Sequence, residues 1–420
     1  MHELCIEKTP LFKLLNLLET EYINKMKKTI SIIGSGPSSL LLAAFLDTQK
    51  FDITIYEKNK TAGRKFLVAG KGGFNLTHSE SISNFIERYT PSGFLKNALL
   101  NFTNDNFRNW LNDIGIPTFI GSSKRVYPEE GIKPISVLNT ILNHLKERGV
   151  TLKFEHTFSG WDAENNTIIN GKTITADYTV FSLGGRSWKI TGSNGNWMDT
   201  FKEKEIKTVP FEASNCAFKI DWKPNFINQN QGNPLKNITI NCNGKTQKGE
   251  AVITKFGLEG NAIYALSPKI REQLKSKKKA RIYIDFKPTF SREEVTLKVK
   301  NSNFKNTTQI LKKELKLSTS QIDLLKTYLS KEDYLNSEIL AKYIKEFPLE
   351  ITALGILDAA ISTIGGIDLD AVDTNFQLRK IKNQFCIGEM LNWDTPTGGY
   401  LIQGCVSSGV YLAKYLNEIN

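Results

Sequence analysis

Apolar residues fall in blocks whose spacing changes character along the chain. Thr29 to Ile33 is a short apolar run ending in Gly34-Ser35-Gly36. Pro37 to Leu46 is apolar at nearly every position, and Asp52 to Tyr56 forms a second apolar run that ends at Glu57. Runs apolar on both faces suit strands buried inside a parallel sheet, and a proline in the first turn suits a helix start. Together these segments predict a β-α-β unit of about 30 residues. Gly63 to His78 is glycine-rich and has no period, so a loop is expected there. Helices are predicted over Phe107–Ile114 and Ile135–Arg148, and short strands over Thr151–Phe154, Thr167–Ile169, Lys172–Ile174 and Tyr178–Ser182.

After Thr208 the texture changes. Asn237 to Thr254 reads as a hairpin about Asn243-Gly244, and Arg281 to Phe286 alternates like a strand. Lys275 to Lys279 reads as a solvated turn. Ser291 to Glu346 is helical and rich in Lys and Leu, with Ser318 and Ser337 as candidate N-caps. The α/β pattern returns with a strand over Gln384–Ile387 and a helix over Tyr400–Leu416. The expected organisation is an N-terminal extension (1–25), a nucleotide-binding α/β domain in two parts (26–207 and 350–420), and an insert of strands and helices (208–349).

Composition excludes several classes. A chain of 420 residues with 40% hydrophobic and 23% charged residues is globular and too long for one ordinary core. The net charge of +12 is spread along the chain without a nucleic-acid reader motif, so it does not by itself assign a nucleic-acid partner. Cys5, Cys216, Cys242, Cys386 and Cys405 are far apart and form no CxxC pair. Neither a metal site nor a redox dithiol is expected. Nothing reads as a membrane span or a signal peptide. A cytoplasmic protein acting on a small-molecule substrate, with no membrane partner, is the expectation.

Three segments carry chemistry. In Gly34-Ser35-Gly36-Pro37-Ser38-Ser39 the first glycine permits a tight turn. The second lets backbone approach a pyrophosphate resting on the helix N-terminus. Glu57 ends the next strand, where a carboxylate can hold a ribose, and Ser39 stands where a third glycine is usual. Gly63 to His78 follows with Arg64, Lys65, Gly70, Gly72 and Gly73, a set able to bring N–H groups and cations to phosphate. Near the C-terminus, Gly388-Glu389 follows a strand, and Gly398-Gly399-Tyr400 opens a helix whose dipole suits an electron-rich flavin edge. Glu389 could bond a ribityl chain. His78 and Tyr400 are the candidate catalytic side chains, each equally readable as structural.

These segments resemble a bacterial flavoprotein family of NAD(P)/FAD-dependent oxidoreductases that includes aminoacetone-oxidase-like proteins and bile-acid-ring reductases. The resemblance runs from about Met26 to the C-terminus. It rests on Ile33-Gly34-Ser35-Gly36-Pro37, Gly63-Arg64-Lys65, Gly70 to Glu80, Leu183-Gly184-Gly185, Thr191-Gly192-Ser193, Thr254 to Gly260, Gly388-Glu389 and Pro396 to Gln403. It implies FAD, a Rossmann-like two-dinucleotide-binding-type α/β domain, an inserted β-barrel and a small helical piece. It also implies cofactor contacts from Lys58, Asn75, Leu76, Gly184 and Leu401. Phe74 stands where the better-known branch tends to carry a cysteine, so no substrate follows. The expected activity is FAD-dependent hydride transfer to or from a small molecule. An RNA-modifying flavoprotein and a non-catalytic flavin module are the alternatives. One dinucleotide fingerprint leaves no second nicotinamide domain. NAD(P)H, if it is the donor, is expected to dock transiently by the Thr191-Gly192-Ser193 loop.

Overall fold

The computed structural model describes residues 27–68 and 73–419. The extension expected over 1–25, and Gly70 and Gly72, lie outside the described residues. The chain divides into two compact units. One comprises Met1–Phe211, Gly365–Trp393 and Gly398–Asn420, and the other Glu212–Ile364 with Asp394–Thr397.

The first unit is built on β1 (Lys28–Ile33), α1 (Pro37–Phe45), β2 (Phe51–Glu57), α2 (Arg64–Val68), α3 (Pro134–Glu147), β3 (Thr151–Phe154), β4 (Tyr178–Phe181), β5 (Gln384–Cys386) and α4 (Tyr400–Glu418). The five strands form one parallel sheet in the order β5-β4-β1-β2-β3. Ile32, Ile55 and Val180 lie in register across it, fully buried. The chain leaves β1 for β2 on one side, while β4 flanks β1 on the other. The carboxyl end of β1 is therefore a topological switch point, where open α/β sheets bind ligands.

α1 is buried on nearly every face because α4 lies against it. Close approach depends on small residues: a Cβ on Gly409 of α4 would stand 2.3 Å from the Ser38 carbonyl oxygen. Ser39, in the place of the third glycine, is buried within this contact with no hydrogen-bond partner for its hydroxyl among the described residues. The glycine has in effect moved to the partner helix. A small antiparallel sheet of Thr77–His78, Arg125–Pro128 and Thr118–Ile120 also belongs to this unit.

In the second unit, seven antiparallel strands run in the order Phe347–Ile351, Ala280–Asp285, Pro234–Cys242, Lys245–Ile253, Gly257–Glu259, Phe218–Lys219, Ala353–Leu354. The two end strands are separated in the chain by Thr352 alone. One continuous segment thus pairs with both edges, and the sheet closes on itself as a small barrel. Five helices between Arg292 and Lys345 accompany it, three of them started by Ser291 and Ser318 capping boxes and by Asn336. Buried Asp394 accepts from Ser214 and pairs with Arg271.

Several expectations need correction. The insert begins at Glu212 rather than 208, and it extends to Ile364 and includes Asp394–Thr397, because the strands after 346 complete its sheet. Arg64–Val68 is a helical turn inside the expected loop. Lys275 and Lys277 close the helix Ser267–Lys277, and Lys278 is left-handed at its C-cap. Asn336, not Ser337, is the N-cap of the last helix of the insert.

Candidate cofactor site

A cleft of about 400 Å³ opens at the carboxyl ends of β1, β2 and β4. Gly34 is left-handed (φ +100°), and a Cβ there would stand 2.4 Å from the Ser182 carbonyl oxygen, so the turn admits only glycine. Gly36 is extended, and a Cβ there would meet nothing within 4 Å. It is the N-cap of α1, without a side-chain cap and with no acid in the first turn. The first N–H groups of α1 are therefore left for an external acceptor, and Gly36 leaves room for it.

Glu57 is buried at one end of the cleft. One carboxylate oxygen accepts from Ser35 N (3.2 Å) and Ser35 Oγ (2.5 Å), the other from Asn59 N (2.8 Å) and Asn59 Nδ2 (2.6 Å). These four bonds occupy the lone pairs that a carboxylate offers. The two side-chain donors can swing away, so a ribose with two hydroxyls can take their places without disturbing the backbone. Lys58, beside Glu57, reaches Asn194 Oδ1 at 3.3 Å. Burial pushes its ammonium below the usual lysine range, against the opposing pull of Glu57.

The two cations of α2 are both engaged. Arg64 donates to Asn59 Oδ1 (3.0 Å), and Lys65 pairs with Glu389 (2.7 Å). Glu389 thus stands in the cleft with its charge compensated. Gly388 precedes it at φ +77°, where a Cβ would collide with the Ser38 hydroxyl. Cys405 of α4 also lines the cleft. Burial, reinforced by Glu389, pushes its thiol up to about 12, so it is a protonated wall residue rather than a nucleophile. Gly184 lines the opposite wall with Leu183.

Thr191-Gly192-Ser193 lies elsewhere than expected. A Cβ on Gly192 would stand 2.5 Å from Asn59 Nδ2, which places this loop over the Glu57 end. It walls the Glu57 end of the cleft.

At the N-terminus of α4, Gly398 (φ +119°) and Gly399 (φ +97°) are both left-handed, and a Cβ on Gly399 would stand 2.5 Å from the backbone of Thr77. Tyr400 donates to Glu80 (2.7 Å), and Arg88 donates to both carboxylate oxygens of Glu80 (2.9 and 2.8 Å). Burial would raise the Glu80 carboxyl, but the bonds from Arg88 and Tyr400 hold it below its ordinary value. Burial and the Glu80 charge push the Tyr400 phenol up. His78 stacks on Tyr400 (5.2 Å between centroids) and accepts from Glu80 N at Nδ1 (3.1 Å), and burial is the chief cause that pulls its imidazole below the ordinary value. His78 and Tyr400 are brought together away from the residues that line the cleft, and the Tyr400 hydroxyl proton is spent on Glu80. Leu76 is fully buried, whereas Leu401 and Asn75 are half-buried. Asn59 and Cys405 line the cleft and were missed by sequence reasoning. Arg125 lies with its Nε 3.6 Å from where a Gly398 Cβ would stand.

Residues 28–415 match the model of the HI0933-like protein Rossmann domain. The chain belongs to the HI0933-like family. Family membership makes it a Rossmann-type FAD-binding oxidoreductase, and the uncapped α1, the open space at Gly36 and the Glu57 end fit an extended dinucleotide. A ribosomal RNA dihydrouridine synthase of Haemophilus influenzae is 24% identical over 402 residues, covering 92% of this chain and 98% of that protein. A 3-dehydro-bile acid delta(4,6)-reductase of Clostridium scindens is 22% identical over 413 residues, covering 91% and 97%. Among solved structures, the open conformation of a flavocytochrome c3 fumarate reductase aligns at 15% identity with a TM-score of 0.49, covering 100% of this chain and 82% of that one. Among the described residues of this HI0933-like chain, no helix is long and apolar enough to cross a membrane, and no group of three His, Cys, Asp or Glu is placed to hold a metal.

Proposed function

We propose that this chain is an FAD-dependent reductase of carbon–carbon double bonds conjugated to a carbonyl. The observation carrying the proposal is that two relatives matched over nearly their whole lengths bear names that share this bond change. Dihydrouridine is uridine with its enone-like ring double bond saturated, and a delta(4,6)-reductase saturates ring double bonds of a steroid. Such a reduction adds a hydride at the carbon β to the carbonyl and a proton at the α carbon. Bound FAD supplies the hydride.

The chain's residues position the cofactor. Glu57 takes the adenosine ribose, the N-terminus of α1 takes the pyrophosphate at Gly36, and Lys65 with Glu389 flanks the ribityl chain. The N-terminus of α4 receives the flavin at Gly398-Gly399, nearly two turns before Cys405. His78 and Tyr400 then act by holding Glu80 and the start of α4 in place, and the proton comes from solvent. Electrons enter from NAD(P)H docking at the substrate side, with ping-pong kinetics.

A second reading has the double bond carried by RNA rather than by a free small molecule. The net charge of +12 and sequence pI near 9.2 favour it, since a polyanionic substrate gains from such a field. The test is anaerobic. The holoprotein is reduced, then mixed separately with a steroid dienone, uridine and ribosomal RNA lacking dihydrouridine. Reoxidation of the flavin with a two-hydrogen mass gain in one acceptor supports the reading. Reoxidation by oxygen alone, with every conjugated acceptor inert, would overturn it in favour of an oxidase.

A further inference from the structure

Arg125 opens the strand Arg125–Pro128 and stands opposite His78, while Phe119 stands opposite Tyr127. Val126 and Pro128 are buried on one face of that strand, and Arg125 and Tyr127 project half-buried from the other. Glycines lie beside this second face, Gly73 and Gly398 among them. Tyr127 carbon lies 3.2 Å from where a Gly73 Cβ would stand, and Arg125 Nε lies 3.6 Å from where a Gly398 Cβ would stand. Other arginines of this unit spend their donors inside the protein: Arg88 on Glu80, Arg64 on Asn59, Arg148 on the Leu46 carbonyl. The Arg125 guanidinium has no hydrogen-bond or ion-pair partner among the described residues. A half-buried guanidinium without a partner is costly to keep, and its charge adds a small push to the lowering of the neighbouring His78 imidazole that burial chiefly sets.

We infer that Arg125 supplies the positive charge that faces the pyrimidine edge of the bound FAD at Gly398-Gly399. The inference rests on the placement of the flavin proposed above. On reduction the pyrimidine edge gains negative charge. A guanidinium beside it, in a site partly shielded from water, favours the reduced over the oxidised cofactor. It adds to the uncapped N–H groups of α4, which point the same way.

The experiment compares wild type, Arg125→Gln and Arg125→Lys as FAD-loaded proteins by anaerobic redox titration and thermal unfolding. Arg125→Gln should disfavour the reduced cofactor by tenfold or more, which for a two-electron couple is a midpoint about 30 mV lower or more. Arg125→Lys should keep the midpoint within about threefold of wild type on the same scale, roughly 15 mV. The melting temperature of Arg125→Gln should not fall, because a half-buried charge without a partner has been removed. Unchanged midpoints in both variants, with FAD bound, would overturn the inference, and a raised substrate KM beside them would move Arg125 to the substrate. A wild-type protein that neither retains nor takes up FAD would instead remove the cofactor reading beneath it.

Discussion

The helices α1 and α4 both begin at glycine, both lack a side-chain cap, and both are proposed to face the same cofactor, yet their glycines serve different ends. At α1 the N-cap Gly36 is extended, and a side chain there would enter empty space, so the glycine keeps room for a ligand. At α4 the N-cap Gly399 is left-handed and pressed on Thr77, so the glycine makes room for the protein's own chain. Charge divides in the same way. Around α1, Glu57 is saturated by neutral donors, and Arg64 and Lys65 are engaged. Beside α4, Arg125 stands uncompensated. One start is arranged for recognition by hydrogen bonds, the other to set the electrostatics of whatever lies against it.

The strongest way to break this contrast is at Gly399. Gly399→Ala should cost about 3 kcal/mol or more of folding stability, since both its backbone angle and Thr77 forbid a Cβ. Denaturant unfolding reads this, and a loss below about 1 kcal/mol would mean the start of α4 shifts freely. Next in size is Glu57→Ala, expected to weaken FAD by roughly 1.5–3 kcal/mol through lost charge-assisted bonds. Calorimetric titration of the apoprotein checks it, and wild-type affinity would remove Glu57 from the ribose. Gly36→Ala should leave stability within about 1 kcal/mol while weakening FAD about tenfold, or about 1.4 kcal/mol. If it instead unfolds the protein, Gly36 belongs with Gly399 and the contrast fails.

The smallest effect concerns the network behind α4. Glu80→Gln should cost about 1 kcal/mol near neutral pH. The Glu80 carboxyl is held below its ordinary value in the folded state, so its contribution is present above the unfolded value of 4.5 and fades as pH falls through the folded one. Wild type and variant should therefore converge in stability under acid. A gap that persists there would show that the loss is steric.

What the sequence made legible was local. Gly34, Gly36 and Glu57 lie within one β-α-β unit, so spacing alone links them, and Gly398-Gly399 adjoins a strongly periodic helix. Two of the misses are long-range. Asn59 is the local exception: it lies two residues past Glu57, but an asparagine there carries no motif, and only the folded turn shows it bonded to both Glu57 and Arg64. Cys405 enters because α4 packs on α1 through Gly409. Arg125 sits in a four-residue strand that carries no signature, and only the antiparallel pairing with His78 brings it to Gly398. The strand Phe347–Ile351 was hidden for a different reason: Pro348 argues against a strand by propensity. The sheet accommodates that proline, as Tyr283 stands opposite it.

That strand has a consequence for how the second unit can be altered. Because the segment through Thr352 pairs at both ends of the sheet, the barrel offers another polypeptide no long open backbone to extend. Its integrity depends on chain length at one point. An extra residue beside Thr352 changes which side chains face inward on one half of the seam, whereas the Asn243-Gly244 tip of the hairpin can be lengthened with little cost. Fusions, tags or a permuted chain start belong at that tip.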